Sequence, residues 1–89
     1  MLDIQSKIES AIYQNDLLRI KELVKTESPD FNTVTFAVNR TRKFSNTRTR
    51  ETLLLVLSYA CGLSIEQKSQ VKELGEYAPT QVKNILNLF

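Results

Sequence analysis

The sequence predicts an all-α fold of about six short helices, arranged as antiparallel hairpins that form a stack or a compact bundle. Apolar residues recur at helical spacing through most of the chain, and a capping residue precedes most of these stretches. Only two glycines and two prolines occur, too few for the turns that a β-sandwich or barrel needs roughly every 8–12 residues. Since 89 residues suffice for one modest core, we expect a single domain over residues 1–89.

The first two helices are predicted over residues 3–14 and 17–26. Asp3 and Asp16 are good N-cap residues, and Pro29 closes the segment. Each helix has one apolar face, made of Ile4, Ile8, Ala11 and Ile12 in the first and of Leu17, Ile20, Leu23 and Val24 in the second.

The third helix is predicted over residues 33–42, with Asn32 as its cap. Residues 33–38 alternate and are rich in β-branched side chains, which also fits a strand. A lone strand in a helical chain would leave its backbone groups unpaired, so a helix is favoured. Residues 40–50 are then expected to form a polar, basic loop.

The fourth helix is predicted over residues 50–61. Thr49 is its expected cap, Glu51 would lie in its first turn, and Gly62 would stop it. Two further helices follow, over residues 65–74 and 79–88.

The fifth helix opens with Ser64 and Gln67 in a capping-box pattern and ends at Gly75, and Pro79 suits the first turn of the sixth. The apolar faces predict a core that includes Ile20, Leu23, Leu54, Leu57, Ile85 and Leu86.

The predicted hairpins repeat along the chain, and the repeating unit resembles that of a known family. Residues 8–24, followed by Pro29-Asp-Phe-Asn32, resemble an ankyrin repeat, with a first helix, an Asn-Asp turn and an Ile-Lys-Glu-Leu-Val second helix. A second unit is visible in residues 33–38 and 51–64, and a truncated third in residues 71–75 and 82–86. This resemblance implies a protein-binding stack in which the basic segment is an insertion.

A second resemblance covers the C-terminal half. Arg50-Glu51, Leu57, Tyr59, Gly62-Leu-Ser64, Leu74-Gly75 and Val82-Lys83 are similar to the helix-turn-helix of sigma-factor region 4. That resemblance implies DNA binding by the last helix. The helix has few residues that read bases: Thr80, Gln81, Lys83, Asn84 and Asn87.

The charges concentrate in one segment. Residues 1–30 contain four basic and six acidic side chains, and residues 51–89 contain three basic and four acidic ones. Residues 31–50 contain five basic side chains and no acidic one. Arginine contacts both carboxylates and phosphates, and a basic run can also be a merely solvated loop. The candidate partner-binding residues are Arg40, Arg42, Lys43, Phe44, Arg48 and Arg50.

No catalytic constellation, metal site or cofactor site is expected. Histidine is absent, which removes the usual general base and the commonest transition-metal ligand. The single cysteine, Cys61, is expected to be a small buried residue, and Phe44 to anchor its loop on the core. Tyr13, Tyr59 and Tyr77 are expected to pack their rings at the edge of the core.

Neither a membrane helix nor a secretion signal is expected, and one cysteine indicates a reducing cytosol. The sequence therefore predicts a non-enzymatic module, a regulator, inhibitor or adaptor, that binds another protein through the basic segment. A nucleic-acid-binding regulator is the alternative.

Overall fold

A computed structural model describes residues 3–89 and contains six α-helices with no strand in that range. This confirms the predicted all-α class, including the helix at residues 33–38. The helices are α1 (Ile4–Tyr13), α2 (Leu17–Val24), α3 (Phe31–Lys43), α4 (Thr47–Tyr59), α5 (Ile65–Leu74) and α6 (Thr80–Asn87).

The helices form three hairpins stacked in two layers. Within each hairpin the two helices pack on each other, and successive hairpins stack so that α1, α3 and α5 lie in one layer and α2, α4 and α6 in the other. The turns within the first two hairpins are short, with only Gln14–Asp16 and Phe44–Asn46 between the helices. The α3–α4 hairpin is the central one and packs against both of its neighbours.

Several caps lie where the sequence predicts them. The carboxylate of Asp3 accepts the backbone N–H of Ser6 at 2.7 Å, and this bond lowers the pKa of Asp3 below its usual range. Asp16 caps α2 in the same way, and Ser64 forms the predicted capping box with Gln67. Gly75 is the C-cap of α5, and a Cβ atom there would overlap the Leu86 side chain, so a larger residue at this position would displace Leu86 of α6.

The start of α3 differs from the prediction. Asn32 is not its cap; Asp30 is, two residues earlier, because its carboxylate accepts the backbone N–H of Thr33 at 2.9 Å. Asp30 is itself fixed by α1, since its backbone N–H donates to Gln5 Oε1 at 3.0 Å. That tertiary bond has no signature in the local sequence.

The predicted loop over residues 40–50 is wrong. α3 continues to Lys43, α4 begins at Thr47, and only Phe44–Asn46 connect them. Asn46 rather than Thr49 is the N-cap of α4, and Thr49 completes a reciprocal capping box with it. The segment thus lengthens two helices instead of inserting a loop between them. Because α4 begins at Thr47, Glu51 lies beyond its first turn and not within it. The helix ends at Tyr59, three residues before the predicted stop at Gly62.

The core lies between the two layers, and α4 contributes to it with only part of its apolar run. A helix turns about 100° per residue, so the consecutive aliphatic side chains at 53–57 cannot all face one side. Leu53 and Val56 are buried, Leu57 is half-buried, and Leu54 is 43% exposed. The predicted core position of Leu54 is therefore wrong, whereas Ile20, Ile85 and Leu86 are buried as predicted.

One polar contact joins the first two hairpins at their turns. Asn15 has a φ of 54°, the left-handed conformation that asparagine tolerates better than most residues, and it forms the turn between α1 and α2. Its Oδ1 accepts a hydrogen bond from the hydroxyl of Thr52, a buried residue of α4, at 3.0 Å. The bond holds the α1–α2 turn beside the start of α4.

Candidate binding surface

The basic residues meet at one end of the α3–α4 hairpin. Arg40, Arg42 and Lys43 lie in the last turn of α3, Phe44 is its C-cap, and Arg48 and Arg50 lie in the first turns of α4. Since a connection of three residues joins the helices, both groups are at the same end of the hairpin. We call these six residues the basic corner.

Arg40 is held between two aromatic rings. Its guanidinium carbon lies 4.3 Å from the centroid of the Tyr13 ring and 5.4 Å from that of Phe44. Both distances are in the range of cation–π contacts, which are strongest for partly desolvated cations. The Nε atom of Arg40 is buried and makes no hydrogen bond within residues 3–89. The rings orient this cation without neutralising it.

A shallow, mostly apolar cleft lies beside Arg40, between α1 and α3. Phe44 is 52% exposed and Tyr13 62% exposed, so neither ring is a core residue, and the expected anchoring of Phe44 on the core is wrong. Lys43 approaches the same Phe44 ring, with Nζ 5.8 Å from its centroid. The cleft is lined by Tyr13, Phe36, Asn39, Arg40, Lys43 and Phe44.

The other cations of the corner point elsewhere. Arg42 donates to Asn39 Oδ1 and Arg50 to Ser45 Oγ, both at 3.1 Å. Arg48 is exposed and borders a depression at the α1–α2 turn, which also includes Asp16. The structure thus brings Arg40, Lys43 and Phe44 to one cleft and spreads the remaining three along the adjoining edge.

Helix electrostatics explain only half of these positions. Cations at a helix C-terminus are favourable, which accounts for Arg40, Arg42 and Lys43 at the end of α3. Arg48 and Arg50 lie instead near the N-terminus of α4, where the helix dipole disfavours positive charge by about 0.3–1 kcal/mol each. The dipole of α4 therefore gives no reason for these two arginines.

Tyr13 belongs to this surface, although the sequence places it only at the edge of the core. Its contact with Arg40 joins α1 to α3, and no periodicity or capping signal relates two residues so far apart in the chain. The one available indication is that Tyr13 occupies the last position of an amphipathic helix, off its apolar face.

The remaining candidate groups do not assemble into a reactive site. Cys61 is exposed, which corrects the expected burial; it follows the C-cap of α4, and its Sγ lies 3.2 Å from Ser28 Oγ. Tyr77 is also largely exposed rather than packed at the core edge. Within residues 3–89, no group of three cysteine or carboxylate side chains comes together that could hold a metal ion.

Comparison with protein-family models, with curated proteins and with solved structures gives no match for this chain. None of the helices in residues 3–89 is both long and apolar enough to cross a membrane.

Proposed function

We propose that this protein is a non-enzymatic binding module, a regulator, inhibitor or adaptor, and that its basic corner holds an acidic surface of another protein. The observation that carries the proposal is that Arg40 and Lys43 border an exposed apolar cleft and three more arginines lie along the adjoining edge, in a segment without any acidic residue. Such a segment concentrates the positive potential of a chain whose net charge is only +2.

The cleft favours a protein partner over a nucleic acid. Single-stranded nucleic acids stack their bases on free aromatic faces. Here Arg40 covers one face of Tyr13, and Arg40 and Lys43 both approach Phe44. A shallow apolar cleft with a cationic rim instead suits an apolar side chain flanked by carboxylates, since arginine and lysine bind carboxylates with charge-assisted hydrogen bonds.

The two-layer stack also supports this proposal. It is the arrangement that the ankyrin resemblance implies, with the partner lying across the first helices and the turns between the hairpins. Tyr13, Arg40 and Lys43 lie on the first helices α1 and α3, at the turns within the first two hairpins rather than at the turns between the hairpins. The single cysteine is compatible with work in a reducing cytosol.

A nucleic-acid-binding regulator is the second candidate, because arginines at the start of α4 could also contact phosphates. Gln81, Lys83, Asn84 and Asn87 of α6 are exposed, as a helix that reads bases would require. They are separated from the basic corner in the chain, and α6 has a single cation.

The test compares two double variants with equal change in net charge. Arg42→Glu with Arg48→Glu reverses two cations of the corner, and Lys72→Glu with Lys83→Glu reverses two exposed cations of α5 and α6. The probes are a fluorescent glutamate-rich peptide and an oligonucleotide of matched charge, titrated at several salt concentrations. Pull-downs from host lysate, with and without nuclease, then show which class of partner is retained.

We expect the corner variant to lose most of its affinity for the acidic peptide and the control variant to keep it, with helical content unchanged in both. Affinity for a protein partner should fall moderately with salt, because part of the interface is apolar. A steep salt dependence with the oligonucleotide, and loss of captured material after nuclease, would favour the second candidate. Equal binding by both variants at all salt concentrations would contradict the choice of site.

A further inference from the structure

The arginines of the basic corner carry the same charge but are held in different ways. Arg42 and Arg50 each donate to a neutral side-chain oxygen at 3.1 Å, and Arg48 is exposed. Arg40 instead lies against the two aromatic rings of the cleft. Arg40 is therefore the arginine whose orientation is fixed by packing before any partner arrives.

Burial of one nitrogen limits how a carboxylate can bind Arg40. The Nε atom is buried and makes no hydrogen bond within residues 3–89, while the side chain as a whole is only half-buried. A carboxylate can bind a guanidinium side-on, through Nε and one terminal nitrogen, or end-on, through both terminal nitrogens. Because Nε cannot be reached, Arg40 offers the end-on geometry, which still allows two parallel hydrogen bonds.

The cleft beside Arg40 has room for about one side chain. Its volume is about 230 Å³, it is mostly apolar, and Tyr13, Phe36 and Phe44 contribute to its walls. Sites for small molecules are usually larger, at roughly 300–1,000 Å³. A ligand that fills this cleft and also reaches Arg40 therefore has one large apolar side chain with a carboxylate close to it.

We propose that Arg40 determines which acidic segments the basic corner accepts, and that Tyr13 is the positioning residue that holds its guanidinium for end-on binding of one carboxylate. The proposal rests on the function proposed above. The preferred ligand is a carboxylate beside a large apolar side chain of the partner protein, with that side chain in the cleft. The arginines of the edge attract any acidic segment, whereas a guanidinium that is already oriented loses less conformational freedom on binding.

Exchange of arginine for lysine tests the role of Arg40 without changing the net charge. Arg40→Lys keeps the cation but loses the planar fork that stacks on a ring and binds a carboxylate through two hydrogen bonds. Arg42→Lys is the matched control on the same helix. The probes are two fluorescent glutamate-rich peptides of equal charge, one with a central phenylalanine and the other with serine in its place. Fluorescence anisotropy measures the affinity of each variant for each peptide.

We expect the wild type to bind the phenylalanine peptide about tenfold more tightly than the serine peptide, because the phenylalanine ring is buried in the cleft. Arg40→Lys should lower the affinity for the phenylalanine peptide about tenfold, and Arg42→Lys by less than about twofold. Equal effects of the two lysine variants, or equal affinity of the wild type for the two peptides, would overturn this proposal and leave the proposed function standing. A wild type that binds neither peptide would contradict both.

Two substitutions of Tyr13 test its positioning role. Tyr13 is 62% exposed, so neither substitution opens the core. Tyr13→Leu keeps an apolar wall but removes the ring over Arg40, and Tyr13→Phe keeps the ring. We expect Tyr13→Leu to lower the affinity for the phenylalanine peptide about two- to fivefold, as loss of one cation–π contact implies, and Tyr13→Phe to bind like the wild type.

Nuclear magnetic resonance of the free protein reports the orientation of Arg40 without any ligand. Protons held over an aromatic face resonate upfield, so the Nε–H signal of Arg40 should lie upfield of that of the exposed Arg48. The upfield shift should persist in Tyr13→Phe and diminish in Tyr13→Leu, with circular dichroism melts showing that both variants remain folded. An Arg40 signal that Tyr13→Leu leaves unchanged, or Tyr13→Phe binding as weakly as Tyr13→Leu, would overturn the positioning role of Tyr13.

Discussion

Helices α4 and α5 begin with the same geometry but with opposite charge. Each has a reciprocal capping box, made by Asn46 and Thr49 in α4 and by Ser64 and Gln67 in α5. At the second position of the helix, α5 has Glu66, whose charge the helix dipole favours, and α4 has Arg48, whose charge it disfavours. The charge at the start of α5 is therefore favoured by the helix dipole, and the charge at the start of α4 is not.

The two helices also differ in how deeply they are packed. α4 lies in the central hairpin and buries Thr49, Thr52, Leu53 and Val56, while α5 lies in the last hairpin and fully buries only Val71. Truncations of their core residues should show the largest difference between the helices.

We expect Leu53→Ala to lower the free energy of unfolding by about 2–5 kcal/mol, because it leaves a cavity in the middle of the core. Val71→Ala removes less apolar volume and should lower it by about 2 kcal/mol. Leu57 is half-buried, so Leu57→Ala should lower the free energy of unfolding by less than Leu53→Ala does. Urea denaturation followed by circular dichroism measures all three. An equal effect of Leu53→Ala and Leu54→Ala would contradict the packing of α4.

The two helices also differ at the residue that completes the capping box, which is Thr49 in α4 and Gln67 in α5. Thr49 is buried, and its hydroxyl donates to the carbonyl of Phe44 at 2.8 Å and accepts the N–H of Asn46 at 2.9 Å. Thr49→Val leaves both groups without a partner and should lower the free energy of unfolding by about 1–3 kcal/mol. Gln67→Leu should change it by less than half as much, since water replaces the lost bond at the exposed start of α5. The urea concentration at the midpoint of unfolding, measured for both variants, makes this comparison.

The caps themselves should be alike. Asn46→Ala and Ser64→Ala each remove one side-chain acceptor for a backbone N–H and should each lower the free energy of unfolding by about 1 kcal/mol. Thermal melts of the two variants, with Asn84→Ala as an exposed control within α6, check this. A cap effect at only one of the helices would show that their starts are not equivalent.

The sequence predicts the fold well because helix formation here follows local signals. The apolar periodicity of residues 4–24 and the caps at Asp3, Asp16 and Ser64 are all readable within one or two helical turns. The predicted loop over residues 40–50 is wrong because three threonines and five cations are typical of a loop unless Asn46 is recognised as the cap of α4.

The binding surface is predictable in composition but not in arrangement. The five cations of the basic corner follow from the charge pattern of residues 31–50, which contain no acidic residue, and Phe44 lies among them in the sequence. Their separation into a cleft group and an edge group depends on which face of α3 each residue occupies, and the role of Tyr13 depends on how α1 packs against α3. Such contacts between hairpins leave no pattern in a single sequence.

The most direct test of the account measures stability and binding in the same two variants, Arg48→Gln and Glu66→Gln. Removing Arg48 relieves an unfavourable interaction with the helix dipole and loses a weak attraction to nearby Asp16, so the free energy of unfolding should stay within a few tenths of a kcal/mol. Removing Glu66 should lower it by about 0.3–1 kcal/mol. Affinity for the glutamate-rich peptide should show the reverse, falling for Arg48→Gln and unchanged for Glu66→Gln. Equal peptide affinity in the two variants would contradict the assignment of the basic corner as the binding surface.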